Sequence, residues 1–178
     1  MSPTTSPPTA ALIVVSDRIV DGTKENCAAD TAAKLLSEAN IALIHREVVR
    51  EEECAITSAL DTQLDQGSVG ADIIITLGGT GTRLGNVVPE VTEQRIAARL
   101  HGLETQVLLK GLQSSPKAGL CRGIIGVTHF GHPTKLIINS AGSRGAVSDT
   151  LDVVLPLISD IFRECSTEKA TAATALGR

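Results

Sequence analysis

Short apolar runs alternate with amphipathic stretches along most of the chain. Residues 11–15 are continuously apolar and end at Ser16-Asp17-Arg18, the pattern of a strand buried on both faces. Ala32, Leu35, Leu36 and Ala39 recur at helical spacing, and a second strand is predicted over residues 41–49. Glu51-Glu52-Glu53 then open a helix, where acids favour the positive end of the dipole. Its apolar stripe is Ile56, Ala59, Leu60 and Leu64, with Gly67 as a stop. A third strand covers Ile73 to Leu77, and Pro89 suits the first turn of a following helix that carries Ile96 and Leu100. Two more strands, 124–127 and 136–138, are separated by residues 128–135 at hairpin spacing. Ser143 is placed to cap a last helix running to about Phe162, kinked at Pro156. This order predicts an α/β domain whose mainly parallel sheet lies between helix layers. In such a sheet ligands sit beyond the carboxyl ends of the strands. The loops at Ser16-Asp17-Arg18, Gly78–Thr82 and Asn139–Ser143 are therefore expected to converge.

The strand at Ile73 runs directly into Gly78-Gly79-Thr80-Gly81-Thr82. Three glycines in so short a loop let a ligand approach the backbone, whose N–H groups can converge on one anion, most often phosphate. A tight strand-to-helix turn would need the same glycines for geometry alone. No Gly-Lys-Ser/Thr follows, which excludes a Walker A loop, and Leu84 stands where a dinucleotide fingerprint wants its last glycine.

Composition narrows the rest. The chain has 178 residues, enough for one domain; residues 1–9 read as a disordered Pro/Ser/Thr-rich arm, 10–162 as the domain and 163–178 as a flexible tail. A net charge of −4 with no basic tract, and only two aromatic residues, argue against nucleic acid as a partner. No apolar run is long enough for a membrane span and no signal peptide is visible, so a cytoplasmic protein is expected. The four scattered cysteines fit reduced thiols rather than a disulfide or zinc framework. His129 and His132 read as a surface turn, Glu51 to Glu53 by themselves as a solvated helix start, and Asp149 and Asp152 as solvent-facing or part of a subunit contact. Arg83 and Arg122 face either phosphate or a surface carboxylate.

Several motifs occur in one order: Ser16-Asp17-Arg18 with Gly22, Gly78-Gly79-Thr80-Gly81 followed by Pro89-Glu90, Arg122 with Gly126, and Asn139-x-x-Gly142. Together they resemble the molybdopterin-binding MogA/MoaB/gephyrin-G family over residues 10–162. The resemblance implies a three-layer α/β/α sandwich, a homotrimer, and adenylylation of molybdopterin: its terminal phosphate attacks the α-phosphate of ATP and pyrophosphate leaves. It implies molybdopterin or nucleotide phosphate contacts from Ser16, Gly78, Gly79, Thr80, Gly81, Thr82, Asn139, Gly142 and Ser143. Catalytic roles fall on Glu51, Asn86 and Asp17, with Mg²⁺ held by Glu51 and Asp17.

The chain also departs from the family pattern. Asn86 stands in place of an aspartate and Asn26 in place of another, while Glu51, or Glu52 with a one-residue slip, takes the position of a third. Val88 lacks a hydroxyl expected to cap the helix, Ala141 replaces a proline, Arg144 stands near a second proline and Cys121 replaces a serine. Thr105 and Leu108 take the places of an acid and an arginine. Three readings follow: a working adenylyltransferase with an altered metal site, a pterin- or nucleotide-binding paralogue impaired in catalysis, and a trimeric scaffold with an eroded pocket.

Overall fold

The computed structural model describes residues 7–65 and 70–166. Six strands form one sheet: β1 (Thr9–Val15), β2 (Ala42–Val49), β3 (Ile73–Leu77), β4 (Ala98–Arg99), β5 (Ile125–Val127) and β6 (Leu136–Ser140), in the order β2-β1-β3-β6-β5-β4. The first four in that order run parallel, and β5 and β4 close the far edge antiparallel. The helices are α1 (Asp17–Val20), α2 (Cys27–Glu38), α3 (Glu53–Asp65), α4 (Val88–Glu93), α5 (His101–Ser114), α6 (Arg144–Val154) and α7 (Ile158–Ser166).

Side-chain alternation along the central strands divides the core in two. Leu12, Val14, Ile73, Ile75, Leu136 and Ile138 point to the face covered by α2 and α6, where Ala29, Ala32, Leu36, Val147 and Leu151 meet them. Ile13, Val15, Ile74 and Ile137 point the other way, against Ile56, Ala59 and Leu60 of α3 and Val88 and Val91 of α4. Burial on both faces is why these strands read as unbroken apolar runs. The result is the three-layer α/β/α sandwich with a mainly parallel sheet. Edge strand β2 instead alternates exposed and half-buried positions.

Several boundaries differ from the sequence expectation. The domain starts at or before Thr9, which already pairs in β1 within the span 1–9 expected as an arm; residues 1–6 lie outside the described part. The expected stop at Gly67 also lies outside it. At the other end α7 runs on to Ser166, past the tail boundary set at 163. A 3₁₀ turn over Leu155–Leu157, containing Pro156, separates α6 from α7, so the expected kink is a break. The helix expected to carry Ile96 and Leu100 ends at Glu93. The chain then pairs along β5, with Ala97 N–H donating to Val127 and Leu100 N–H to Ile125, before α5 begins.

The carboxyl ends of β1, β3 and β6 lie side by side, since Val14 pairs with Leu77 and Leu77 with Ser140. β1 connects onward to β2 on one side while β3 lies on its other, which makes the gap between β1 and β3 a topological switch point. The glycine loop leaves β3 at that gap.

Candidate functional site

The loop after β3 is shaped by contacts that exclude side chains. Gly78 has φ +105 and Gly79 φ +64, both in the left-handed region. A Cβ on Gly78 would collide with the Val15 carbonyl, and one on Gly79 would come within 2.5 Å of Val88 Cγ2. The loop is thereby pressed between the end of β1 and the first turn of α4. Gly78 N–H donates to Ser140 and the Gly79 carbonyl accepts from Val88 N–H. Among the described residues, the N–H groups of Gly79, Thr80 and Gly81 have no hydrogen-bond partner. Gly79, Thr80 and Gly81 line a cleft of about 740 Å³ at the carboxyl edge of the sheet. Three open N–H groups at one turn form an anion-binding arrangement.

Arg122 fixes this loop from behind. Its guanidinium donates to the Gly81 carbonyl at 2.9 and 3.0 Å and to the Asn86 carbonyl at 2.6 Å, and it pairs with Glu90 in α4. The Arg122 hydrogen bond holds the Glu90 carboxyl below the usual range. Of the two roles expected for Arg122, the geometry matches the carboxylate one.

Glu51 enters the cleft from the end of β2, and its side chain is 17% exposed. Its Oε2 accepts from Asn86 Nδ2 at 3.1 Å and from Arg83 Nη2 at 3.4 Å. Asn86 is buried, with Oδ1 turned towards Gly81, where a Cβ would stand 2.8 Å away. Of the two glutamates, Glu51 lines the cleft; Glu52 is exposed and does not.

Ser16, Arg18 and Lys24 from the segment after β1 form one wall, and Lys117, Gly142, Ser143 and Arg144 another. Lys24 Nζ reaches across to the Gly142 carbonyl at 3.4 Å. Lys24 and Lys117 carry no motif and were not singled out from the sequence; each reaches the cleft only because distant segments meet there. Five cations thus face the cleft against two carboxylates, Glu51 and Glu25, although the whole chain is acidic. Such focusing favours an anionic ligand.

Not every expected residue is brought in. Gly78, Gly79, Thr80, Gly81, Asn86, Glu51, Ser16, Gly142 and Ser143 line the cleft; Asp17, Thr82 and Asn139 do not. Asn139 is buried with its amide donating to Thr76 and Thr92 and its carbonyl oxygen accepting from Ile124 N–H, which ties β6 to β3, α4 and the residue before β5. Asp17 Oδ1 accepts Glu51 N–H at 3.0 Å and lies 3.8 Å from Arg50, so it positions the Glu51 backbone. Asn26 is the N-cap residue of α2, without a side-chain cap bond and outside the cleft lining. Val88 is the first helical residue of α4 rather than its cap; Val87 takes that place. Ser143 does cap α6, accepting Ala146 N–H at 3.2 Å.

The expected magnesium site does not fit these donors. Mg²⁺ takes oxygen ligands and usually one or two protein carboxylates. Here Asp17 is turned to backbone and Arg50, and Glu51 Oε2 already accepts from an amide and a guanidinium. Among the described residues no three His, Cys, Asp or Glu side chains are grouped to hold a metal ion.

Comparison with known proteins decides the family. The model of the "Probable molybdopterin binding domain" family matches residues 11–160. The chain belongs to this family. A molybdopterin adenylyltransferase from Helicobacter pylori (strain J99) is 29% identical over 149 residues, covering 83% of this chain and 81% of the relative. A molybdenum cofactor biosynthesis bifunctional protein from Chlorobaculum tepidum is 27% identical over 158 residues, covering 87% of this chain and 47% of the relative. A solved Corynebacterium diphtheriae protein named for molybdenum cofactor biosynthesis is 41% identical with a TM-score of 0.81, covering 90% of this chain and 99% of that one. The glycine loop and the cleft above it therefore occur within a molybdopterin-binding domain.

Proposed function

We propose that this chain serves molybdenum cofactor biosynthesis by binding molybdopterin and transferring the adenylyl group of ATP to its terminal phosphate. The observation that carries the reading is the cleft: Gly79, Thr80 and Gly81, whose N–H groups have no partner among the described residues, line it together with five cations at the switch point of the sheet. Family membership supports the pterin ligand, and the H. pylori relative's name supports the adenylyl transfer.

In the reaction a terminal phosphate oxygen of molybdopterin bonds to the α-phosphorus of ATP. The bond from that phosphorus to the bridging oxygen breaks, and pyrophosphate leaves with the electron pair. Two polyanions must be held in contact, so catalysis rests on positioning and charge neutralisation. The glycine-loop N–H groups hold one phosphate, while Lys117 and Arg144 on one wall and Arg18 and Lys24 on the other oppose the remaining charge. ATP enters as its magnesium complex, the metal arriving with the substrate. Exposed Leu108, Leu109 and Leu112, on one side of α5, offer an apolar surface for self-association, which we read as the homotrimer that the resemblance implies. Among the described residues no helix is long and apolar enough to cross a membrane.

A second reading, a binding-competent chain silenced in catalysis, is favoured by one observation: an amide, Asn86, adjoins Glu51, one of the two carboxylates that line the cleft. A single-turnover assay with molybdopterin, ATP and Mg²⁺ separates the two. Adenylylated product and pyrophosphate in equal amounts are expected; pterin binding without either product establishes the second reading.

A further inference from the structure

One oxygen of the Glu51 carboxylate, Oε2, is already engaged by two donors. Asn86 is 7% exposed and its orientation is fixed at both ends, with its backbone carbonyl held by Arg122 at 2.6 Å and its Nδ2 on Glu51 at 3.1 Å. A cation approaching Glu51 Oε2 therefore meets the Asn86 amide N–H group. The same oxygen faces the Arg83 guanidinium at 3.4 Å. The other cleft carboxylate, Glu25, lies towards Cys27 on the wall after β1, with Oε2 3.5 Å from that thiol. The Arg83 side chain is 77% exposed, so its pairing with Glu51 is worth little and is readily exchanged for a stronger partner. A phosphate seated on the nearby glycine loop is such a partner, since guanidinium–phosphate pairs are bidentate and charge-assisted.

We propose that this cleft neutralises its phosphate ligand with Arg83 instead of a divalent cation held by the protein: Asn86 and Arg83 engage Glu51 Oε2 in the free chain, and Arg83 passes from Glu51 to phosphate when nucleotide enters. The proposal rests on the phosphate-cleft reading above. It makes Glu51 a positioning residue that holds Asn86 and parks Arg83, and it makes the free protein indifferent to divalent metal.

Two titrations of the full chain test it. In the first, Mn²⁺ is the probe and free Mn²⁺ is read by electron paramagnetic resonance. The wild-type protein is expected to take up no stoichiometric Mn²⁺, and its Tm is expected not to move with added metal. Asn86→Asp replaces the donated hydrogen bond with a second carboxylate and is expected to gain one Mn²⁺ per chain with a metal-dependent rise in Tm. Adding Glu51→Gln to that variant is expected to remove the site again. In the second, ATP binding is measured with EDTA and with Mg²⁺. Wild-type affinity is expected to agree within about threefold, and Arg83→Gln to lose about tenfold in EDTA, the loss of one charge-assisted pair. Stoichiometric Mn²⁺ on the wild-type chain, or ATP binding abolished by EDTA, overturns the proposal, and neither result depends on a variant folding. ATP binding in neither condition removes the phosphate-cleft reading and this proposal with it, whereas tight metal-dependent ATP binding overturns the proposal alone.

Discussion

At the scale of single residues, Gly79 has little freedom to change. It combines φ +64 with two buried valines at the position of its missing Cβ, Val88 Cγ2 at 2.5 Å and Val15 Cγ1 at 3.2 Å. Alanine there must force α4 away from β1 and hold a strained backbone, at a cost of about 1–3 kcal/mol. The same shift moves the N–H groups of Thr80 and Gly81. Gly79→Ala is therefore expected to lower both unfolding free energy and ATP affinity, measured by urea denaturation and by nucleotide titration. Gly102 is a useful contrast: it sits in α5 with open space where a Cβ would go. Gly102→Ala is expected to stabilise the chain by about 0.5–1 kcal/mol, with ATP affinity unchanged. A Gly79 variant as stable as wild type, with full ATP affinity, would remove the loop from ligand binding.

Among the elements, α6 joins structure to ligand binding at its first turn. Ser143 accepts Ala146 N–H and also lines the cleft. Ser143→Ala is expected to cost about 1 kcal/mol through the lost cap. Ser143→Asp keeps the cap but places a negative charge beside the phosphates, so its stability is expected to match wild type while ATP affinity falls; equal affinity would place Ser143 outside the ligand's reach. This cap was legible in the sequence because its signal is local, as were β1 and β3, whose burial on both faces leaves unbroken apolar runs. By contrast, α5 leaves almost no sequence pattern. It buries only Leu103, it contains Gly102 and Gly111, and its Leu109 and Leu112 face solvent. The two-residue β4 is defined by its pairing partner and not by its own residues. The site divides in the same way. The glycine loop announces itself, but Lys24 and Lys117 enter the cleft through contacts no local motif records. Asn139 reads as part of a ligand motif, yet its partners Thr76, Thr92 and Ile124 come from three other segments and leave its side chain internal.

For the molecule as a whole, acid stability depends on a group behind the cleft. Glu104 of α5 receives Arg99 of β4 at 3.1 and 3.0 Å, Ile125 N–H of β5 at 3.0 Å and His101 at 3.1 Å, so one carboxylate joins the helix to the antiparallel edge of the sheet. Burial alone would push its carboxyl up, but Arg99, the Ile125 N–H and His101 together bring it below its ordinary 4.5. A folded pKa below the unfolded one means that the unfolded chain binds the proton first. The stabilisation is then fully present above about pH 4.5 and is lost as pH falls through that value towards the folded pKa. Glu104→Gln removes the charged acceptor and is expected to cost about 1–3 kcal/mol at neutral pH. Urea unfolding from about pH 7 to about pH 3 should show the wild-type and Glu104→Gln values converging on the acid side. A constant gap across that range would mean that the carboxylate contributes by packing and not by charge. Glu104 does not line the cleft, so the glycine loop and its cations stay in place in this variant. ATP affinity at neutral pH is therefore expected to be unchanged, which separates the group that holds the sheet edge from the groups that hold phosphate.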